Sequence, residues 1–434
     1  VDAVKDILTQ GLAQLDITPP PEAIDRLCRY AQLLVEQNKD AMLKHLSIRA
    51  GWGLMHKMPI LTYLYPDKSY TDKNCFTYND MENGERLTVM HTFATDRTFN
   101  PKLRLPVNQK LELGLNLQIG QVEADIVWFR EHLRNGFSTS EQVEPFTYRR
   151  YDPLFSKGEH PELTSDGVIN NGQPLPYTTY TTFATYTSPD NGIEQLKQGI
   201  EYTFDMGHWD LLHTSLFISG SYLNLHEKNT ALSARYPQIE VNGKPYPYVG
   251  IYETNSFAAN LKVWQQFSTR FQFITQLPRI GLITTLTLQA VWMDKQRRGM
   301  ESNYNNPIYL IDDNGNRIDG DPMTDTEHQK RINPVYYMDS EGIQHLFTPE
   351  MANDKRFADL VLTTGTPTAF LTDSFGPYFL LNLRVTKEIG RYVSVAFCAN
   401  NFTQSNPKKY TCSTQQYTIQ NPGLYYGAEI AIRF

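Results

Sequence analysis

The sequence predicts a mainly β fold: an antiparallel up-and-down transmembrane β-barrel, present in part as about ten strands, behind a short N-terminal helical hairpin. Three observations carry this expectation. The chain closes on ten residues in which alternate positions are apolar. The same alternation runs through four hairpin-like pairs upstream. Short turns and long polar segments then follow one another in strict rotation.

The closing residues are Tyr425-Tyr426-Gly427-Ala428-Glu429-Ile430-Ala431-Ile432-Arg433-Phe434. Read with period two, Tyr426, Ala428, Ile430, Ile432 and Phe434 share a face. Glu429 and Arg433 fall on the other. This is a strand with one apolar and one wet side. It resembles the closing strand of bacterial outer-membrane barrels, whose assembly machinery reads a terminal Phe and the alternate apolar residues before it. Tyr426, Ile430, Ile432 and Phe434 are therefore the expected assembly strand. The edge strand of a soluble sandwich would show the same alternation.

Upstream, Leu111, Leu113, Leu115, Leu117 and Ile119 alternate with Glu112, Gly114, Asn116 and Gln118. After Gly120-Gln121, Val122, Ala124, Ile126 and Trp128 alternate with Glu123, Asp125, Val127 and Phe129. That is a tight hairpin with one apolar face. Ile200, Tyr202 and Phe204 lead through Gly207-His208-Trp209-Asp210 to Leu212, Leu216 and Ile218. Phe271, Phe273 and Leu277 lead through Pro278-Arg279-Ile280-Gly281 to Leu286, Leu288, Ala290 and Trp292. Leu381, Leu383 and Val385 lead through Ile389-Gly390-Arg391 to Val393, Val395 and Phe397. Between these hairpins lie polar segments at about 132–195, 224–257, 294–377 and 402–424. Loops beyond ~15 residues usually mean function. A transmembrane barrel predicts this rhythm, with short periplasmic turns and long extracellular loops. A strand near 46–54 and the terminal strand bring the total to ten. The second face carries Glu112, Glu123, Asp125, Glu201, Asp205, Arg384, Glu429 and Arg433, which a wet lumen tolerates and lipid does not. Several of these are expected to pair across strands.

Composition agrees. The hydrophobic share is 40%, with 26 Tyr, 22 Phe and 5 Trp. No run reaches the ~18–20 apolar residues of a membrane helix. Barrels escape that test and place aromatics at both membrane interfaces. Sugar-binding sandwiches are aromatic too. The net charge of −7 argues against nucleic acid as a partner. Cys28, Cys75, Cys398 and Cys412 show neither metal spacing nor a redox pair, although Cys398 and Cys412 could be neighbours. No signal peptide precedes Val1, so an exported chain is expected to be processed or a fragment.

The first 42 residues are of another class. Val4, Ile7, Leu8, Leu12 and Leu15 recur at helical spacing. After Pro19-Pro20-Pro21, so do Ile24, Leu27, Ala31, Leu34 and Val35. This predicts a helical hairpin over 1–42 and a barrel portion over 43–434. The run from Arg26 to Lys39, with Tyr30, Leu33, Leu34, Asn38 and Lys39, resembles the N-terminal helices of ribosomal RNA methyltransferases of the glucose-inhibited-division B type. The match stops at Met42. That family's S-adenosylmethionine site comes later, on a doubly wound domain, and nothing downstream supplies it. Any amphipathic helical hairpin would look the same.

Residues 43–434 resemble the carboxyl-terminal part of a TonB-dependent outer-membrane receptor of the kind common in Bacteroidetes. The resemblance rests on Arg49-Ala50-Gly51-Trp52-Gly53 with Pro59, then Asn100-Pro101-Lys102-Leu103, Lys110-Leu111-Glu112-Leu113-Gly114-Leu115 and Phe146-Thr147-Tyr148-Arg149-Arg150-Tyr151, with the terminal Phe434. It implies a barrel of about 22 strands with a plugged lumen, and uptake of a scarce ligand such as an iron chelate, vitamin, glycan or peptide. It implies outer-membrane lipid, the barrel assembly machinery and the TonB system as partners, with a surface lipoprotein as a further one. Plug and TonB-contacting segment are not visible here. The sequence therefore predicts a portion that could not perform gated transport alone.

No catalytic constellation, metal set or cofactor motif stands out, and a transport role rather than an enzyme is expected. The ten His residues contain no HExxH. Asp312-Asp313-Asn314-Gly315-Asn316 is read as a hairpin turn rather than a calcium loop, since Arg317 stands where that loop needs Gly. Asn242-Gly243 and Ser340-Glu341-Gly342 are read as turns as well. Ligand contacts are expected from loop aromatics: Tyr246, Tyr248 and Tyr252 in one loop, Tyr309, Tyr336, Tyr337 and Phe347 in another. Packing within loop hairpins is the alternative. Arg149 and Arg150 could attract an anion, or simply be solvated. A soluble glycan-binding β-protein and a methyltransferase fragment remain the competing functions.

Overall fold

The computed structural model describes residues 43–80, 83–154, 159–253, 260–300 and 308–433, with side chains from His45 onward. The helical hairpin expected over 1–42 and the terminal Phe434 lie outside the described residues.

Ten strands succeed one another in space as they do in sequence. They are β1 (Leu43–His56), β2 (Val107–Ile119), β3 (Val122–Tyr151), β4 (Tyr177–Trp209), β5 (Thr214–Asn229), β6 (Leu261–Leu277), β7 (Leu282–Gly299), β8 (Tyr378–Ile389), β9 (Val393–Asn400) and β10 (Tyr425–Ile432). Each pairs antiparallel with the next. A short eleventh strand, Asp373–Phe375, adds to the upper part of β7. The path is open: β1 and β10 are its two ends and do not pair with each other. A closed barrel is therefore not formed by the described residues. A large, singly connected meander follows where every second connection is too short to permit a crossover.

The turns at one end of the sheet are tight. Gly120, Gly281 and Gly390 adopt φ of 59, 57 and 63 there, a left-handed conformation that glycine enters without steric penalty. The opposite end carries the long connections, and here the expectation needs correction. Much of 132–195 is strand rather than loop: β3 runs on to Tyr151, β4 begins at Tyr177, and the two stay paired throughout. β5 and β7 also overrun the expected limits. Polar residues such as Ser138, Ser140 and Thr182 hide these extensions from an apolar-period reading, while the backbone ladder forms regardless.

The sheet has two unlike faces. Cross-strand rows on one face read Leu46–Leu117–Ala124–Phe204–Ile218–Phe271–Leu288 and Ala50–Leu113–Trp128–Ile200–Tyr222–Phe267–Met293. The next row of the same face is Arg130–Gln198–Asn224–Gln265–Lys295 between β3 and β7. From β3 to β7 the apolar band thus has a sharp upper limit, while on β2 and β1 the same row continues as Leu111 and Trp52. Along β6 it extends from Phe267 to Leu277, eleven residues. On β10, Tyr426, Ile430 and Ile432 are 70%, 68% and 59% exposed on this face.

The other face pairs its charges, as expected of several of them. Arg49 donates both terminal nitrogens to Asp125 at 2.7 and 2.9 Å. Lys110 reaches Glu112 at 2.6 Å, and Arg384 reaches Glu429 at 2.8 Å. All are solvent-accessible pairs, so each contributes little. Arg384→Ala should lower stability by less than about 1 kcal/mol, as read by urea unfolding; a loss several times larger would mean the pair is shielded from water.

Above the band, the β3–β4 ribbon has an irregular register between Leu133 and Ser138. Asn135 has φ 53 there. Gly136 leaves no room for a side chain, since a Cβ would lie 2.9 Å from the Ile193 carbonyl oxygen. The Asn191 amide nitrogen donates to the carbonyls of Asn135 and Arg104 at 2.7 and 2.8 Å, and ties the β1–β2 connection to this point.

Candidate functional site

The long connections form a second layer of small sheets. One unites Ser233–Arg235, Tyr248–Tyr252, Tyr336–Asp339 and Gln344–Leu346, and so joins the β5–β6 connection to the β7–β8 connection. Another unites Arg317–Ile318, Ile308–Ile311, Gln329–Ile332 and Leu362–Thr363. The sequence-read turns close hairpins of this layer, Asn242-Gly243 that of Glu240–Val241 with Lys244–Pro245. Asn242 and Gly243 have φ of 53 and 75, the pair of left-handed residues that a two-residue hairpin turn requires. The Asp312 carboxylate accepts from the backbone amides of Asn314 and Asn316, at 2.9 and 2.8 Å. Asp339 does the same for Glu341 and Ile343.

The predicted ligand aromatics meet in this layer, but as its interior. Tyr246, Tyr337 and Phe347 are buried with Phe357 and Leu360, and Tyr248 packs on them. Tyr248 stands edge-on to Tyr246 at 5.8 Å and to Tyr337 at 5.5 Å. Tyr252 is 1% exposed and donates its hydroxyl to the Leu360 carbonyl at 2.5 Å. The Tyr246 hydroxyl donates to the Arg356 carbonyl at 2.6 Å. Burial pushes both phenols well above their ordinary value, so they remain donors. Tyr309 is buried in the second small sheet under the Arg317 guanidinium, 5.0 Å from its ring centre, and Tyr336 is half-buried. As placed, Tyr246, Tyr248, Tyr252, Tyr336, Tyr337 and Phe347 join the two loops, while Tyr309 packs within the second small sheet. Tyr252→Phe should cost about 1–2 kcal/mol, because it strands a buried carbonyl; calorimetric melting checks this, and an unchanged melting temperature would show the bond to be dispensable.

A buried cation anchors the second small sheet. Lys330 is fully buried, and its ammonium donates to the carbonyls of Asp325, His328 and Pro367. Burial pulls its pKa down, and Asp325, 3.8 Å away, opposes that. A hydrogen bond from His328 holds the Asp325 carboxyl below its ordinary value, and that same bond raises His328 above 6.5. A raised His value means stabilisation that is present below pH 6.5 and disappears as the pH climbs through the folded value. Amide protection over 325–332 should therefore decline between about pH 6 and 8. Hydrogen exchange would measure it, and protection that is flat across that range would remove the His328 contribution.

The charged face of the main sheet holds a polar groove of about 670 Å³. Glu201, Thr203, Ser219, Ser221, Arg270 and Gln289 are among its lining residues. It offers hydroxyls, amides and one charge of each sign to a polar ligand. Among the described residues no cluster of His, Cys, Asp and Glu could hold a metal ion. Cys75, Cys398 and Cys412 are free thiols, so the suggested Cys398–Cys412 pairing is not made.

The sequence reading missed one element outright. Residues 57–106 contain a hairpin, Ser69–Asp80 and Glu85–Thr95, that packs on the β3–β4 ribbon. Its signal was present: Tyr70, Phe76 and Tyr78 precede Asn83-Gly84, a turn dipeptide.

No protein-family model matches the chain, and no curated protein matches it in sequence. Among solved structures, the chain is similar to the outer membrane transporter YddB from Escherichia coli, with 11% identity and a TM-score of 0.18. That likeness covers 90% of this chain and 61% of the transporter, so the chain spans less than two thirds of its length. At so low a score, the strand order and faces above are the ground on which function must be argued.

Proposed function

We propose that residues 43–433 are part of the wall of an outer-membrane β-barrel, of the TonB-dependent receptor kind, that takes up a scarce ligand. This is a transport and binding role rather than an enzymatic one. The observation that carries it is the apolar band with its sharp limit. Eleven residues along β6 match the ~9–11 residues with which a tilted strand crosses a bilayer. Short turns at one end and tall loops at the other support the same orientation.

On this reading lipid covers the row through Ile218 and Phe271, and the groove around Arg270 faces the lumen. The barrel assembly machinery engages β10, and the TonB system drives uptake in the complete receptor. A surface lipoprotein covers the loop layer. Free strand edges are not tolerated in hydrocarbon, so further strands of the receptor complete the wall between β1 and β10. Fractionation tests this reading. The chain should sediment with outer membranes, resist alkaline extraction and run as a heat-modifiable band. A monomer that stays in solution without detergent would sink it.

A further inference from the structure

On the face that carries the apolar band, the rows above its limit are rich in cations. From β3 to β7 the first of these rows is Arg130–Gln198–Asn224–Gln265–Lys295, and the second is His132–Leu196–His226–Val263–Arg297. One step higher on the same face stand Arg134 on β3 and, across from each other, Glu194 and Lys228. Glu194 is the one carboxylate in these rows, and the His132 ring lies 2.8 Å from it. Arg130, Lys295 and Arg297 form no ion pair with any described residue. Arg134, Lys295 and Arg297 are exposed.

The opposite face of the same stretch is balanced. Glu131 stands across from Lys197 and Glu227 across from Lys262, while Asp294 is paired with Lys409 at 2.7 Å. The surplus of positive charge therefore belongs to one face. It also belongs to one end. Towards the tight turns, that face of β6 and β7 carries Phe273, Thr275, Leu277, Leu282, Thr284 and Leu286, none of them charged. A concentration of like charge repels itself, and an anionic occupant offsets that repulsion. The first cationic row lies two residues beyond Trp128 and Tyr222, about 7 Å along the strands. On strands tilted about 40° this is roughly 5 Å of height. The head-group layer outside each hydrocarbon surface is ~5–7 Å thick, so the row falls within it.

We propose that this face binds the phosphate groups of anionic lipids in the leaflet on the loop side. Arg130 and Arg134 meet them on β3, and Lys295 and Arg297 on β7. The guanidinium fork matches two phosphate oxygens, and the ammonium acts as a point charge. Continuity with the apolar band commits the site to a lipid rather than a soluble anion. Phe267 and Met293 form the row directly below Lys295, so one molecule can lay acyl chain on them and bring its phosphate to the lysine. The assignment rests on the membrane-wall reading proposed above.

The test places the full chain in phosphatidylcholine vesicles that carry a trace of dansyl-labelled phosphatidic acid or, in a parallel set, of dansyl-labelled phosphatidylcholine. Energy transfer from tryptophan reads how much label lies at the wall. The phosphatidic acid should associate at least about tenfold more strongly. Arg297→Gln should lower that preference at least about twofold, and Arg297→Gln with Lys295→Gln at least about fivefold. Lys295→Arg should keep it. Arg298→Gln makes the same change of charge on the opposite face and should leave it unaltered. Inorganic phosphate in excess, at matched ionic strength, should not remove it. Equal transfer to the two labels from an inserted chain would overturn the assignment and leave the cations to an acidic protein partner. Equal effects of Arg297→Gln and Arg298→Gln would overturn it too, as would displacement by inorganic phosphate, which would mark a site for the free ion. A chain that enters neither vesicle fails the wall reading itself, and the assignment falls with it. Should the double variant fail to insert, the comparison of the two labels on the unaltered chain decides.

Discussion

Replacing Lys330 by alanine is expected to unfasten the loop layer while the ten-strand sheet stays intact. The ammonium is fully buried, with three carbonyl acceptors and the Asp325 carboxylate as its surroundings. Removing it leaves three acceptors from two stretches of chain, Asp325 and His328 in one and Pro367 in the other, without a donor. Breaking a buried charge set by deleting one member typically costs about 3–5 kcal/mol. The loss is local, because the sheet is held by its own backbone ladders. Proteinase K digestion followed by mass mapping would read it. New early cuts should fall within 308–363, with fragments spanning β2 to β7 preserved. Lys330→Met combined with Asp325→Asn should recover part of the loss, since no unpaired charge then remains. A Lys330→Ala digestion pattern identical to that of the unaltered chain would show that the lysine is not the anchor.

A charge on the apolar band should have an effect of similar size, and its sign separates lipid from water. Ile218 lies between Phe204 and Phe271, in the middle of the band. In a bilayer, Ile218→Arg should cost about 2–4 kcal/mol near the midplane. On a water-facing surface the same change should cost only a few tenths of a kcal/mol. Ser221→Arg is the matched control on the other face, where it stands across from Glu201. In a wet lumen that change is close to neutral. Unfolding from lipid vesicles in urea compares the two. Ile218→Arg as harmless as Ser221→Arg would remove the main support for a membrane-spanning wall.

The ten-strand path was legible because each of its tight turns sits between two runs of strict alternation. Leu111 to Trp128 is the clearest case. What stayed hidden shares a physical cause. Ser138 to Glu144 and Thr178 to Thr187 form ladder as readily as Leu113 does, but with neither face apolar they leave no period to detect. The loop aromatics were legible as a group, and what they pack against was not. Tyr246, Tyr337 and Phe347 would look the same in sequence whether they lined a cleft or filled it. Pairing of Tyr248–Tyr252 with Tyr336–Asp339, across more than eighty residues, fills it.

The irregularity at Asn135–Gly136 makes the ribbon above it a lever. Some fifteen residues of β3 lie beyond that point, a reach of roughly 50 Å at ~3.3 Å per residue. A rocking of about five degrees at the irregularity moves the tip by roughly 4 Å at that reach. The 69–95 hairpin travels with the arm because it packs on it. Asn191 grips the base from the side through Arg104. Tension applied at that grip would be magnified at the summit, and a push at the summit would arrive at the base as a small displacement with greater force.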